Sequence, residues 1–271
     1  MAEHEKRWRV DGSSRVRLSE IDPRSSSGAP GDKDETRAAT EPLVARLAEL
    51  QNRLWAEQER SLLLVLQAMD AGGKDGTIRK VFTGVNPQGV KVASFKAPTA
   101  HELAHDFLWR IHRETPAKGE IGVFNRSHYE DVLIVRVEEL VPEPVWRDRY
   151  DHIRHFEDQL ADAGTTVVKV FLHISRDEQA ERFRARLDTP EKRWKFSAAD
   201  LEVRAKWDRY QEAYEDAINE TATERNPWFV VPADRKWYRD WAVLQILLGT
   251  LEDLDPQYPA EEEGLDQIVI D

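Results

Sequence analysis

LLLVLQAMDAGGKDGT, residues 62–77, decides the fold. Its first six residues show no polar alternation, which marks a strand buried on both faces. A turn with Gly72 and Gly73 follows, and Lys74 opens a helix. There the backbone N–H groups of Gly72, Gly73 and Lys74 point at an anion, and Lys74 adds a full positive charge. The stretch misses the phosphate-loop pattern GxxxxGK[ST] at two letters: Ala68 replaces the first Gly, and Asp75 replaces the Ser or Thr. A further acid, Asp70, lies inside a loop that should receive anions.

A carboxylate repels phosphate unless a cation lies between them. Asp70 therefore reads as a Mg²⁺-site residue, or as the acceptor for a proton leaving the attacking phosphate oxygen. Asp75 either stands in for the hydroxyl near the metal or is an N-terminal acid favoured by the helix dipole. Gly76 and Thr77 complete the candidate loop.

Outward from this stretch, β and α signals alternate. Strands are predicted at 90–95, 120–125, 165–174 and 227–232. Helices are predicted over 36–59, 99–114, 142–160, 176–187, 197–222 and 237–254. Continuously apolar strands separated by helices predict a parallel five-stranded sheet in a three-layer α/β/α sandwich. Residues 1–35 read as an arm and linker, 36–255 as the domain, and 256–271 as an acidic tail. The helices at 176–222 interrupt the alternation as an inserted lid would.

Two further stretches carry chemistry. FNRSHYEDVL (124–133) leaves a strand at the sheet edge where ligands bind. Arg126 can hold a phosphate with its fork of donors, and Asp131 is a second candidate metal carboxylate. Asn125 stands at the strand end, where metal loops usually place Asp. In 181–209, nine Lys and Arg face six acids, so this region is cationic within a chain of net charge −12. Arg182 and Arg186 share a helix face there, and Lys192, Lys195 and Arg204 join them as candidate phosphate ligands.

The net charge argues against general nucleic-acid binding. The chain has no Cys, which excludes disulfides, thiolate metal sites and cysteine nucleophiles. No segment approaches the roughly 20 apolar residues of a membrane helix. The first ten residues lack a secretory apolar region, so a cytoplasmic protein without a membrane partner is expected. HELAH (101–105) matches the zinc-hydrolase pattern HExxH. However, Leu103, Phe107 and Ile111 predict the buried stripe of that helix, which leaves His101, His105 and His112 towards solvent. His152 and His155 also read as surface residues.

Taken together, AMDAGGKDGTIRKVF, FNRSHYEDVL and RLDTPEKRWKF with DLEVRAKWDRYQEAYEDA resemble the phosphate loop, second motif and lid of the polyphosphate kinase 2 family. The similarity runs from about 36 to about 255, and VNPQGVKVASFKAPTAHE looks most like its class III subgroup. The resemblance implies a P-loop kinase fold and Mg²⁺-dependent phosphoryl transfer from inorganic polyphosphate to AMP and ADP. It implies catalytic and metal positions at Asp70, Lys74 and Asp131, phosphate-binding positions at Arg126 and Arg182, and a homodimer or homotetramer. The Ala68 and Asp75 departures are expected within this family. The rival readings are an ATP-dependent nucleoside monophosphate kinase and a non-catalytic polyphosphate-binding module.

Overall fold

The computed structural model describes residues 5–265, 268 and 270. Residues 1–4 of the arm, and 266, 267, 269 and 271 of the acidic tail, lie outside the described residues. The strands are β1 (Arg9–Val10), β2 (Ser61–Gln67), β3 (Val90–Ser94), β4 (Ile121–Asn125), β5 (Thr165–His173) and β6 (Trp228–Pro232). They form one sheet in the order β1-β6-β5-β2-β4-β3, parallel except for β1. Every residue of β2 is buried, as its unbroken apolar run requires. Burying each Leu or Val there stabilises the fold by about 1.5–3 kcal/mol.

The helices are α1 (Lys33–Glu57), α2 (Lys74–Val81), the single turns α3 (Ala100–Leu103), α4 (Trp109–His112) and α5 (Ile134–Val137), then α6 (Glu143–Asp162). After β5 come α7 (Arg176–Asp188), α8 (Ala199–Ala205), α9 (Trp207–Thr221) and, after β6, α10 (Lys236–Leu254). Helix α10 packs against α1, α2, β5 and β6, while α6 packs on β5 and α9 on α6. These contacts make the α/β/α layers of a P-loop kinase fold, with the phosphate loop and the end of β4 side by side at the carboxyl edge.

Three expectations need correction. The sheet has six strands, because the N-terminal segment is no free linker. β1 pairs antiparallel with β6, and Trp8 and Leu18 are buried. The single helix expected over 99–114 is two short turns, and Leu103 is 69% exposed rather than part of a buried stripe. A capping box of Thr99 and Glu102 starts α3, but Asp106 accepts from the Leu108 N–H and restarts the chain at α4. Finally, the helix expected over 197–222 breaks at Lys206. Its second part, α9, buries Trp207, Tyr210, Tyr214 and Ile218 as a core helix, leaving 176–205 as the segment over the sheet edge.

Candidate active site

The loop between β2 and α2 is shaped by backbone limits. The Gly72 N–H, expected to face an anion, instead donates to the Met69 carbonyl at 2.9 Å and closes a tight turn. A Cβ on Gly72 would meet the Ala68 side chain at 2.4 Å. Gly73 caps α2 at φ +110°, and a Cβ there would lie 1.8 Å from Arg239 Nη1. Only glycine satisfies both positions. Ala71 holds φ +61° without that freedom, a strain stored within the cradle.

Lys74 Nζ donates to the Ala68 carbonyl at 2.8 Å, folding its ammonium back over the loop. Burial pulls its pKa down to about 8 and Arg126 adds to the effect, while Asp70, Glu130 and Asp75 oppose it. Arg126 sits at φ +62° just past β4, where its N–H donates to the Leu66 carbonyl at 3.1 Å. That turn aims its guanidinium at Asp70 Oδ1, 2.7 Å away, with Glu130 Oε2 at 3.6 Å. Glu130 is the largest influence holding the Arg126 charge in place, followed among charges by Asp70. Lys74, Asp70, Arg126 and Glu130 thus form one electrostatic cluster, with Tyr210 and Tyr214 of α9 near enough to feel its charges.

Asp131 stands apart from this cluster. Its carboxylate accepts from Arg149 at 3.1 Å, and its side chain is 16% exposed. Burial raises its pKa to about 6 against the pull of Arg149 and Arg110. Asp75 is exposed and accepts from Asn125 Nδ2 at 2.7 Å, with Lys195 Nζ of the overlying segment at 3.9 Å. Thr77 is buried with its hydroxyl 3.3 Å from Asp240, facing α10 rather than the loop opening. Gly76 lies beside Arg239, 3.4 Å from its Nη2 to an ideal Cβ.

The other cations divide. Arg182 was expected among the phosphate ligands, but it is buried and clamps the loop from behind. Its Nη1 donates to the Ala71 and Gly72 carbonyls, both at 2.9 Å, and its Nη2 to Ala233 and Asp234 carbonyls at 2.5 and 3.1 Å. Its Nε donates to Glu178 at 2.8 Å. Arg186 donates to the Lys195 carbonyl at 3.1 Å, and Arg204 to the Arg176 carbonyl at 2.6 Å, so both brace the segment internally. Lys192 is exposed.

Gln179 and Arg239 carry no signal in the sequence, and Glu130 enters the site as an ion-pair partner of Arg126. Glu130 was overshadowed by its neighbour Asp131, and a short turn at His128–Asp131 sends the two side chains to different partners. Gln179 donates to the Asp70 carbonyl at 2.9 Å from α7, and Arg239 reaches Gly73 from α10. Neither carries a local motif, since both act across more than 100 residues. The histidines of HELAH face solvent. His105 stacks on Trp109 at 4.0 Å, which gives that segment a packing role.

A parallel α/β/α sheet with a lysine-bearing phosphate loop, flanked by an arginine–carboxylate cluster and a cationic segment, defines a P-loop phosphotransferase. The sequence model of the Polyphosphate kinase 2 family matches residues 31–259. The chain belongs to the polyphosphate kinase 2 family. It is 58% identical over 266 residues to the AMP/ADP-polyphosphate phosphotransferase of Meiothermus ruber, covering 98% of this chain and 100% of that protein. It is 53% identical over 228 residues to the ADP-polyphosphate phosphotransferase of Rhodopseudomonas palustris, covering 80% and 79%. Polyphosphate kinase 2 from Arthrobacter aurescens TC1 superposes with a TM-score of 0.95 at 46% identity, covering 98% of this chain and 95% of that one. No helix among the described residues is long and apolar enough to cross a membrane.

Proposed function

We propose that this protein transfers the terminal phosphoryl group of inorganic polyphosphate to AMP and ADP, giving ADP and ATP. The reading rests on the family and on one observation: acids interleave with cations in the phosphate cradle. Lys74 and Arg126 carry two positive charges, and Asp70, Glu130 and Asp75 carry three negative ones. Such a cluster does not hold a polyanion alone. It fits one whose charge is met by a divalent cation and by a second cationic surface, here the segment 176–205 with Lys192 and Lys195.

The donor set fits Mg²⁺, which takes one or two carboxylates and completes its shell with water and substrate phosphates. Asp70 and Glu130, both beside Arg126, would hold it. Asp131 supports the loop through Arg149 and is the weaker candidate. When bound, Mg²⁺ neutralises charge on the transferring phosphoryl oxygens. Lys74 and the loop N–H groups hold the donor phosphates, and Arg126 orients the acceptor phosphate. An acceptor oxygen bonds to the terminal phosphorus as the bond to the shortened polyphosphate breaks. Segment 176–205 covers the site and limits transfer to water.

The deciding assay is luminescent detection of ATP from purified protein, Mg²⁺ and long-chain polyphosphate, with AMP alone or ADP alone as acceptor. ATP should appear at once from ADP, and after a lag from AMP while ADP accumulates. ATP formed from ADP only removes AMP from the reading. No nucleotide product from either acceptor leaves the binding module, and transfer only from an ATP donor leaves the monophosphate kinase.

The pH dependence follows from Lys74. Its ammonium is lost near pH 8 in the free enzyme, well below the usual lysine range. We therefore expect kcat/KM to fall as pH rises through about 8. The limb in kcat should lie at higher pH, because bound phosphates favour the charged form. Coincident limbs in both parameters would show that Lys74 is not the titrating group.

A further inference from the structure

Beneath the Arg126–Asp131 loop lies a fully buried polar cluster that phosphate binding does not use. Lys169, in the middle of β5, donates from Nζ to Glu157 Oε2 at 2.6 Å and to the Thr221 carbonyl at 2.8 Å. Glu157 Oε1 accepts from the Tyr129 hydroxyl at 2.8 Å and lies 3.2 Å from His128 Nε2. The ammonium also sits 5.8 Å from the Tyr129 ring centroid and 5.5 Å from that of Trp228. Side chains of Lys169, Glu157 and His128 are at most 1% exposed.

Stability alone does not account for this pair. Taking two charges out of water is costly, and apolar residues of similar volume often serve a core as well or better. What the pair does have is a fixed geometry and two ligands from a single loop. That loop alternates in burial: Ser127, His128 and Tyr129 are fully buried, while Arg126 and Glu130 on either side face the candidate site. Ser127 adds a third tie, accepting from Gln67 Nε2 at 3.2 Å at the end of β2. The inward residues therefore set the height and rotation of the outward ones.

We propose that the buried Lys169–Glu157 pair is a positioning device that holds the 126–131 loop, and so Arg126 and Glu130, in register with the phosphate loop. The inference rests on the phosphotransferase reading for its kinetic consequence but not for its structural one. Glu157 supplies two fixed acceptor oxygens, and Lys169 orients the carboxylate from the opposite side. Neither residue touches substrate.

The test uses the full chain with two alterations. Tyr129→Phe removes one donor to Glu157 without changing charge. The double variant Glu157→Leu with Lys169→Met removes both charges together, so no lone ion is left buried. Circular dichroism and the thermal midpoint report folding, and hydrogen exchange of peptides covering 125–133 reports the loop. We expect faster exchange in that loop with β2 and β5 still protected. We also expect kcat to fall about 10- to 100-fold per folded molecule, the scale of a small misplacement, with KM for polyphosphate within about threefold, since a displaced loop slows transfer more than donor binding. A double variant that does not fold leaves the decision to Tyr129→Phe. Loop exchange and kcat unchanged in a folded variant, or a lowered thermal midpoint with normal turnover, would overturn the proposal. If the parent shows no polyphosphate-driven transfer, the functional reading fails while loop exchange still decides the positioning role.

Discussion

Lys74→Ala lowers turnover about 10²- to 10³-fold, the cost of removing one preorganised charge from a transition state that develops negative charge. The magnitude follows from its place. Its ammonium is folded back over the loop, 2.8 Å from the Ala68 carbonyl. Removing it leaves Asp70, Glu130 and Asp75 against Arg126 alone, so the cluster becomes repulsive to both substrates. The fold should survive, because Lys74 makes a single hydrogen bond and sits at the open edge of the sheet. A thermal midpoint close to the parent's, with the rate lost, is the expected pair of results. Turnover within about tenfold of the parent would remove Lys74 from the phosphate-binding role.

Arg182→Ala has a different signature: it costs stability and activity together. Four backbone carbonyls and Glu178 share this one guanidinium. Truncation leaves buried acceptors without donors, a loss on the order of 3–5 kcal/mol in unfolding free energy. The Ala71 and Gly72 carbonyls also lose the donor that fixes the turn of the phosphate loop. Arg182→Lys should recover little, since one ammonium cannot fork between Ala71 and Gly72 on one side and Ala233 and Asp234 on the other. Denaturant unfolding with parallel turnover measurements checks both parts. A variant of unchanged stability that lost only polyphosphate affinity would return Arg182 to the phosphate-ligand role that its sequence context suggested.

The contrast between these residues shows what a chain reveals about itself. Lys74 was legible because its placement is local: an apolar strand, two glycines and a helix start fall within 16 residues. Strands β2, β4, β5 and β6 were legible for a similar reason, since burial on both faces writes an unbroken apolar run. Lys169 is the exception inside β5, a charge whose partners come from α6 and the end of α9. Strand β1 was not legible. Two residues carry no periodicity, and only the edge of β6 makes them a strand.

Charge placement was the least readable property. Arg182 and Arg186 lie on one helix and look equivalent in sequence, yet one is locked beneath the phosphate loop and the other braces Lys195. Glu130 and Asp131 are neighbours, yet they meet Arg126 and Arg149 respectively. The layered α/β architecture, the phosphate loop and its lysine are written locally in the chain, because hydrophobic period and backbone permissiveness are short-range. Which charges meet is settled when distant elements pack. An ion pair's partner is set by the packing of elements far apart in the chain, and the burial that sets its strength exists only once those elements have met.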